Sequence, residues 1–234
     1  MLDIKNLCVN YGAVRIIDDV SMTVGDGEIV ALIGANGTGK TTLVRAISKL
    51  NGTDSGKIFF RGEDITDASA DKVVEAGIIQ VPEGRKLFAQ MSVRENLEMG
   101  AFAKRARGKE KENLEYVYTV FPELKSMEKM ACGNLSGGQQ QMVAIGRSIM
   151  ACPELLILDE PSIGLSPITT QHMFEAIRLI NKNGISVLIT EQNVHDVLKM
   201  ANRAYVMQQG RIAMSGDAKE IAQNEELKKI YLGL

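Results

Sequence analysis

Apolar and polar residues along this chain follow two periods, and their order predicts the architecture. Leu2-Asp-Ile-Lys-Asn-Leu-Cys-Val9 alternates as a half-exposed strand does, and Arg15 to Val24 predicts a second strand leading into the turn Gly25-Asp-Gly27. Glu28-Ile-Val-Ala-Leu-Ile33 is a short apolar run of the kind that forms a buried strand, and Gly56-Lys-Ile-Phe-Phe-Arg-Gly62 reads as another strand between turns. The early strands are expected to form an antiparallel sheet beside a parallel core. Apolar runs return at Leu155-Leu-Ile-Leu158 and Ile185-Ser-Val-Leu-Ile-Thr190, with helical spacing from Ile168 to Asn181 between them. That alternation marks a parallel, doubly wound sheet. Tyr205-Val-Met207, a Gln-Gln-Gly turn and Arg211-Ile-Ala-Met214 predict a hairpin, and the tail from Ala218 reads as helical.

Between these strands the texture changes. From Ser92 to about Met130, Met, Glu, Lys and Leu dominate, and Leu114, Val117, Tyr118 and Phe121 recur at helical spacing. A helical insert is therefore assigned to about residues 84–150 of a single domain spanning 1–234. Within it, the charge run Lys104 to Glu112 reads as a solvated loop and helix start.

Composition narrows the functional classes. With 234 residues, 45% of them hydrophobic, the chain can bury a sheet between two layers of helices. A formal charge of −2 with acids and bases interspersed offers no basic field for a nucleic-acid backbone, so no nucleic-acid partner is expected. Cys8, Cys132 and Cys152 lie in no Cys-x-x-Cys pair, which argues against a zinc site or a disulfide framework and for a reduced, cytoplasmic setting. The start, Met-Leu-Asp-Ile-Lys-Asn, is no signal peptide, and no segment approaches the ~20 apolar residues that span a bilayer. Any work at a membrane would proceed through other subunits.

The chemistry is concentrated in three short stretches. Directly after the apolar run ending at Ile33 come Gly34, Ala35, Asn36, Gly37, Thr38, Gly39, Lys40 and Thr41, followed by Thr42 and a helix-like stretch to Ser48. This spacing is a phosphate-binding loop: backbone N–H groups face a polyphosphate, and the helix N-terminus adds partial positive charge. Lys40 would sit between the β- and γ-phosphates of the nucleotide, and the Thr41 hydroxyl would hold Mg²⁺. Leu155 to Leu158 runs into Asp159 and Glu160, as needed for one acid that holds Mg²⁺ through water and one that orients the attacking water. The third stretch is Leu135-Ser136-Gly137-Gly138-Gln139, whose Ser136 also suits a helix N-cap.

With that third stretch the chain resembles the ATP-binding cassette (ABC) family over essentially its whole length. The resemblance implies an α/β P-loop NTPase cassette: a mainly parallel core sheet flanked by helices, an N-terminal antiparallel β subdomain and a helical insert. It implies ATP and Mg²⁺ as cofactors. It also implies that Ser136, Gly137, Gly138 and Gln139 open a helix facing ATP bound to a second ATPase subunit, in a head-to-tail dimer that pairs identical or different chains. Tyr11, 23 residues before Gly34, matches the aromatic residue that stacks on adenine. Arg147, in the helix after the signature, reads as a maker of structural ion pairs.

Three positions depart from the family pattern. Glu83 follows Val81-Pro82 where a Gln is usual, which puts a carboxylate beside Mg²⁺ and the γ-phosphate; Gln80 lies three residues too early. Gln192, in Thr190-Glu-Gln-Asn193, takes the place of a His that contacts the γ-phosphate, and His195 reads as a helix-surface residue. Ser166 replaces a common Asp. Val-Pro-Glu-Gly-Arg85, Met91 to Leu97, the Glu-Gln-Asn turn and the ending Tyr-Leu-Gly-Leu are together similar to one ATPase subunit of bacterial importers for branched-chain, hydrophobic amino acids. Such a subunit lies on the cytoplasmic face of the cell membrane with transmembrane permease subunits, and indirectly with a substrate-binding protein. Energisers for urea, another nutrient or an exported lipid stay open as alternatives, as does a soluble ABC ATPase.

Overall fold

Five consecutive apolar residues at Ile29–Ile33 form a strand buried at every position, which requires cover on both faces. The computed structural model describes residues 1–224. Along the chain the elements are β1 (Leu2–Tyr11), β2 (Val14–Val24), β3 (Ile29–Ile33), α1 (Lys40–Ile47), β4 (Ser55–Phe60), β5 (Glu63–Asp64), α2 (Ala70–Ala76), β6 (Ile78–Val81), α3 (Val93–Glu98) and α4 (Glu110–Val120). Then follow α5 (Pro122–Ser126), α6 (Gly137–Ile149), β7 (Leu155–Asp159), α7 (Pro167–Lys182), β8 (Ser186–Glu191), α8 (Val194–Leu198), β9 (Arg203–Gln208), β10 (Arg211–Asp217) and α9 (Ala218–Gln223). The fold is an α/β P-loop cassette, and the chain divides into two compact units: Met1–Val73 with the chain from Ser186, and Val74–Ile185.

In the first unit, β2-β1-β4-β5 make an antiparallel sheet, as the alternating patterns predict. A second set, β10-β9-β3-β8, has β3 parallel to both β8 and β9 and closes with the antiparallel β9–β10 hairpin. Parallel neighbours on both sides leave β3 no solvated edge. Arg203, at the start of β9, grips the Glu28 carboxylate through Nε and Nη2, fixing the entrance to β3, and this hydrogen bond raises the pKa of the guanidinium.

In the second unit, β6 and β7 pair in parallel, and α6 buries Met142, Val143, Ala144, Ile145 and Ile149. The predicted helix face of Leu114, Val117 and Tyr118 is buried on α4, with Phe121 at its end. Two features were not evident from pattern: β6, four residues long and interrupted by Gln80, and α2, which buries only Val73.

The charge run is not uniformly solvated. Arg105 is turned inward: Nη2 meets Glu154 at 2.9 Å, Nε donates to the Cys152 carbonyl at 2.9 Å and Nη1 to the Glu75 carbonyl at 2.9 Å. One cation of the run therefore pins the insert, because two main-chain carbonyls and a carboxylate satisfy its donors. Of the predicted helical tail, Ala218–Gln223 is helical, and the chain from residue 225, with the Tyr-Leu-Gly-Leu ending, lies outside the described residues.

Candidate active site

The phosphate loop leaves β3 at Gly34, where a side chain has no room: a Cβ there would stand 2.6 Å from the Met207 carbonyl oxygen and 2.7 Å from Thr38 Oγ1. At the other end, Gly39 caps α1 with φ 107°, a left-handed conformation that glycine adopts without strain. No side chain caps α1 and no acid occupies its first turn, so no acidic side chain of the helix itself offsets its positive dipole end. Ala35, Asn36 and Gly37 are exposed, Thr38 and Thr41 half-buried, and Thr42 buried. Lys40 is only 3% exposed, and Nζ donates to the carbonyls of Gly34 at 2.8 Å and Ala35 at 3.1 Å. Thr38 Oγ1 donates to Ala35 O at 2.9 Å, closing the loop on itself.

Two further predicted positions share this unit. Ile33 pairs with Glu191 in the parallel β3–β8 ladder, so Gln192 follows β8 at the level where Gly34 opens the loop. Tyr11 ends β1, 48% exposed, with its hydroxyl accepting from Asn51 Nδ2. Its cross-strand neighbour Val14 is 61% exposed, a second exposed apolar side chain that the sequence pattern did not single out. The signal was present: Gly12 and Ala13 form a two-residue turn, which sets positions 11 and 14 opposite each other. Both histidines, His172 and His195, are exposed on helices.

In the second unit the acid pair leaves β7 buried, Asp159 at 2% and Glu160 at 7% exposure. Glu160 has φ 48°, so the chain reverses at once, and its carbonyl accepts from Ile163 N at 3.2 Å. Val81 pairs with Leu158, so Glu83 and Glu160 each stand two residues beyond a paired position on adjacent strands. Glu83 is exposed.

The signature opens α6 through a reciprocal capping box: Ser136 Oγ accepts from Gln139 N at 3.3 Å, and Gln139 Oε1 accepts from Ser136 N at 2.9 Å. Ser136 is exposed and Gly137, Gly138 and Gln139 are half-buried. A Cβ on Gly138 would lie 2.5 Å from the Thr169 methyl of α7, so the close approach of that helix explains the second glycine. Ser166 caps α7, its hydroxyl accepting from Thr169 N at 3.2 Å, a task Ser and Asp perform alike.

Arg147 corrects an expectation. It forms no ion pair among the described residues; Nη2 donates to the carbonyls of Arg85 and Lys86 at 3.0 Å each, and the guanidinium lies over the Phe88 ring at 5.9 Å. Burial lowers its pKa from the usual guanidinium value. Asn96, also missed, is fully buried; it accepts from Phe88 N and donates to the carbonyls of Phe88, Met91 and Ser92.

Thr41 and Asp159 are hard oxygen donors of the kind Mg²⁺ takes when phosphate oxygens and water complete its shell. Among the described residues no group of three or more His, Cys, Asp or Glu could hold a metal ion alone, and Mg²⁺ bound with a nucleotide requires none.

Residues 17–163 match the ABC transporter family. The chain belongs to that family. It is an ATP-hydrolysing subunit of an ABC transporter, and membership implies the use of ATP with Mg²⁺, a paired ATPase and membrane permease partners. Among curated relatives it is 40% identical to the high-affinity branched-chain amino acid transport ATP-binding protein BraG of Pseudomonas aeruginosa, over 100% of both chains. It is 33% identical to the lipopolysaccharide export system ATP-binding protein LptB of Escherichia coli, over 99% of this chain and 97% of that one. Among solved structures, a nucleotide-free ATP-binding cassette from an ABC transporter superposes with a TM-score of 0.86 at 29% identity, covering 100% of this chain and 99% of that one. The two ABC relatives move different cargoes, so sequence kinship alone fixes the ATPase more firmly than the transported molecule. No helix among the described residues is long and apolar enough to cross a membrane.

Proposed function

We propose that this ABC ATPase energises a membrane importer for branched-chain or other hydrophobic amino acids. The observation that carries this reading is the 40% identity over the full length of both chains to a branched-chain amino acid ATP-binding protein, against 33% to the lipopolysaccharide exporter's. The loop amides and Lys40 hold the triphosphate, Thr41 and Asp159 hold Mg²⁺, and Tyr11 stacks on adenine. Glu160 positions or deprotonates the attacking water, and Glu83 and Gln192 attend the γ-phosphate. Ser136, Gly137, Gly138 and Gln139 face the ATP of a second cassette, so ATP joins two copies and hydrolysis releases them. The whole chain, with its helical insert at about 84–150, works as one cassette on the cytoplasmic face of the cell membrane.

A docking face for the membrane subunits is supported by side chains that a lone water-exposed insert has little reason to keep. Phe88 is 48% exposed, Met99 46%, Phe102 87% and Met130 43%. An aromatic ring as exposed as that of Phe102 suits a partner surface better than open water, and supports a docking role for this insert.

Purification from membranes should recover the chain with permease subunits, and reconstituted vesicles should take up leucine, isoleucine or valine only with ATP. Uptake of urea alone, or extraction of lipid, would replace the cargo assignment. The Glu160→Gln variant is expected to bind ATP, lose turnover and accumulate as an ATP-bound dimer; full turnover would remove Glu160 from its role.

A further inference from the structure

The segment after Glu83 takes an unusual path. Gly84, Arg85 and Lys86 have φ 74°, 64° and 47°, three successive residues in the left-handed region, two of them not glycine. Such conformations cost energy and persist only where the surroundings over-determine them. Here α6 supplies both restraints. Near its last turn, Arg147 holds the Arg85 and Lys86 carbonyls at 3.0 Å. Near its first turn, the Arg85 side chain reaches back: Nε donates to Gln141 Oε1 at 3.2 Å and Nη1 to Gln140 Oε1 at 3.3 Å.

The fork ends against the signature itself. A Cβ on Gly137 would meet Arg85 Nη1 and Nη2 at 3.3 Å. Gln140 in turn donates to the carbonyls of Cys132 and Leu135, at 3.2 Å each, and so fixes the chain entering the signature. Helix stability does not explain this placement. A cation at a helix N-terminus opposes the macrodipole, and α6 has no acid in its first turn. Among the described residues Arg85 has no carboxylate partner either, so its planar fork is spent on two neutral amides.

We propose that Arg85 is a positioning residue that locks the signature end of α6 to the segment beginning at Glu83, so that the two halves of the γ-phosphate machinery carried by this unit move together. The inference rests on the reading that the signature faces ATP on a second cassette. All of these contacts lie within the unit Val74–Ile185, which does not carry the phosphate loop. Loss of Arg85 should therefore spare ATP binding by the monomer and weaken joining of two cassettes.

The test uses the Glu160→Gln chain, in which ATP-dependent dimerisation is measured by sedimentation and monomer affinity for Mg-ATP separately by titration. Adding Arg85→Met should weaken dimerisation about tenfold, the scale of a typical coupling energy, and leave monomer affinity within about twofold. Arg85→Lys, which keeps the charge but not the fork, should remain weakened. Gln141→Met, which removes one acceptor at nearly constant volume, should weaken dimerisation in the same direction and covers the case in which Arg85→Met does not fold. Dimerisation equal to that of Glu160→Gln alone in Arg85→Met, or in Gln141→Met where Arg85→Met does not fold, overturns the proposal. Full recovery by Arg85→Lys also overturns it, since charge alone would then suffice. Failure of Glu160→Gln itself to dimerise with ATP removes the functional reading and this inference together.

Discussion

Gly210 donates its backbone N–H to the Thr38 carbonyl at 3.0 Å, tying the β9–β10 turn to the middle of the phosphate loop. The same residue accepts from Asp18 N at 2.9 Å, so three chain segments meet at one glycine. Its φ is 80°, and an added Cβ would stand 2.3 Å from the Ile16 carbonyl oxygen. Gly210→Ala should therefore cost about 1–3 kcal/mol of stability and weaken ATP binding, because the turn can no longer hold Thr38 in place. Thermal unfolding and nucleotide titration check this; an unchanged affinity would show that the loop holds its shape without the turn.

On the proposed reading, Glu83 brings a carboxylate beside Mg²⁺ where the family pattern has an amide. With the metal removed, its charge opposes the γ-phosphate by about 1 kcal/mol at a separation of ~4 Å in water. Glu83→Gln should then tighten ATP binding in a chelator roughly fivefold, and much less when Mg²⁺ is present. Equal affinities of the two proteins in the chelator would sink the idea.

Gln192 brings an amide where an imidazole is usual, and both histidines are exposed on helices. Between about pH 5.5 and 8, the pH profile of turnover should be the same in His195→Ala as in the unchanged chain, since an amide neither gains nor loses a proton there. An inflection that His195→Ala abolishes would place His195 at the γ-phosphate and shift the register.

Phe102 is 87% exposed. Replacing it by Ser removes few contacts of the isolated chain, so stability should stay within about 0.5 kcal/mol, while recovery with the permease subunits should fall sharply. Undiminished co-purification would move the docking face elsewhere.

The parts legible in sequence were those in which one local rule determines the structure. The apolar runs at Ile29–Ile33 and Leu155–Asp159 became fully buried parallel strands, and Ser136 with Gln139 became the capping box that their spacing allows. What escaped depends on distant partners. Nothing near Arg105 distinguishes it from the charges beside it; its selection comes from Glu75, Cys152 and Glu154, far along the chain. Arg147 looked like an ion-pairing residue because its type suggests carboxylates, but the acceptors in reach are carbonyls bared by the left-handed turn at Arg85 and Lys86. Asn96 sits in a helix whose sequence gives no hint that four hydrogen bonds converge on its amide.

Lys40 holds carbonyls of its own loop, Gly34 and Ala35. On the proposed role of Lys40, the ammonium keeps the curve of the loop until a phosphate joins its partners. Nucleotide entry becomes the addition of an acceptor rather than the ordering of a slack chain, so most of the conformational entropy of the loop is settled when the protein folds. A loop held in shape before nucleotide arrives would favour an anion that suits its N–H groups and the buried ammonium, a polyphosphate above all.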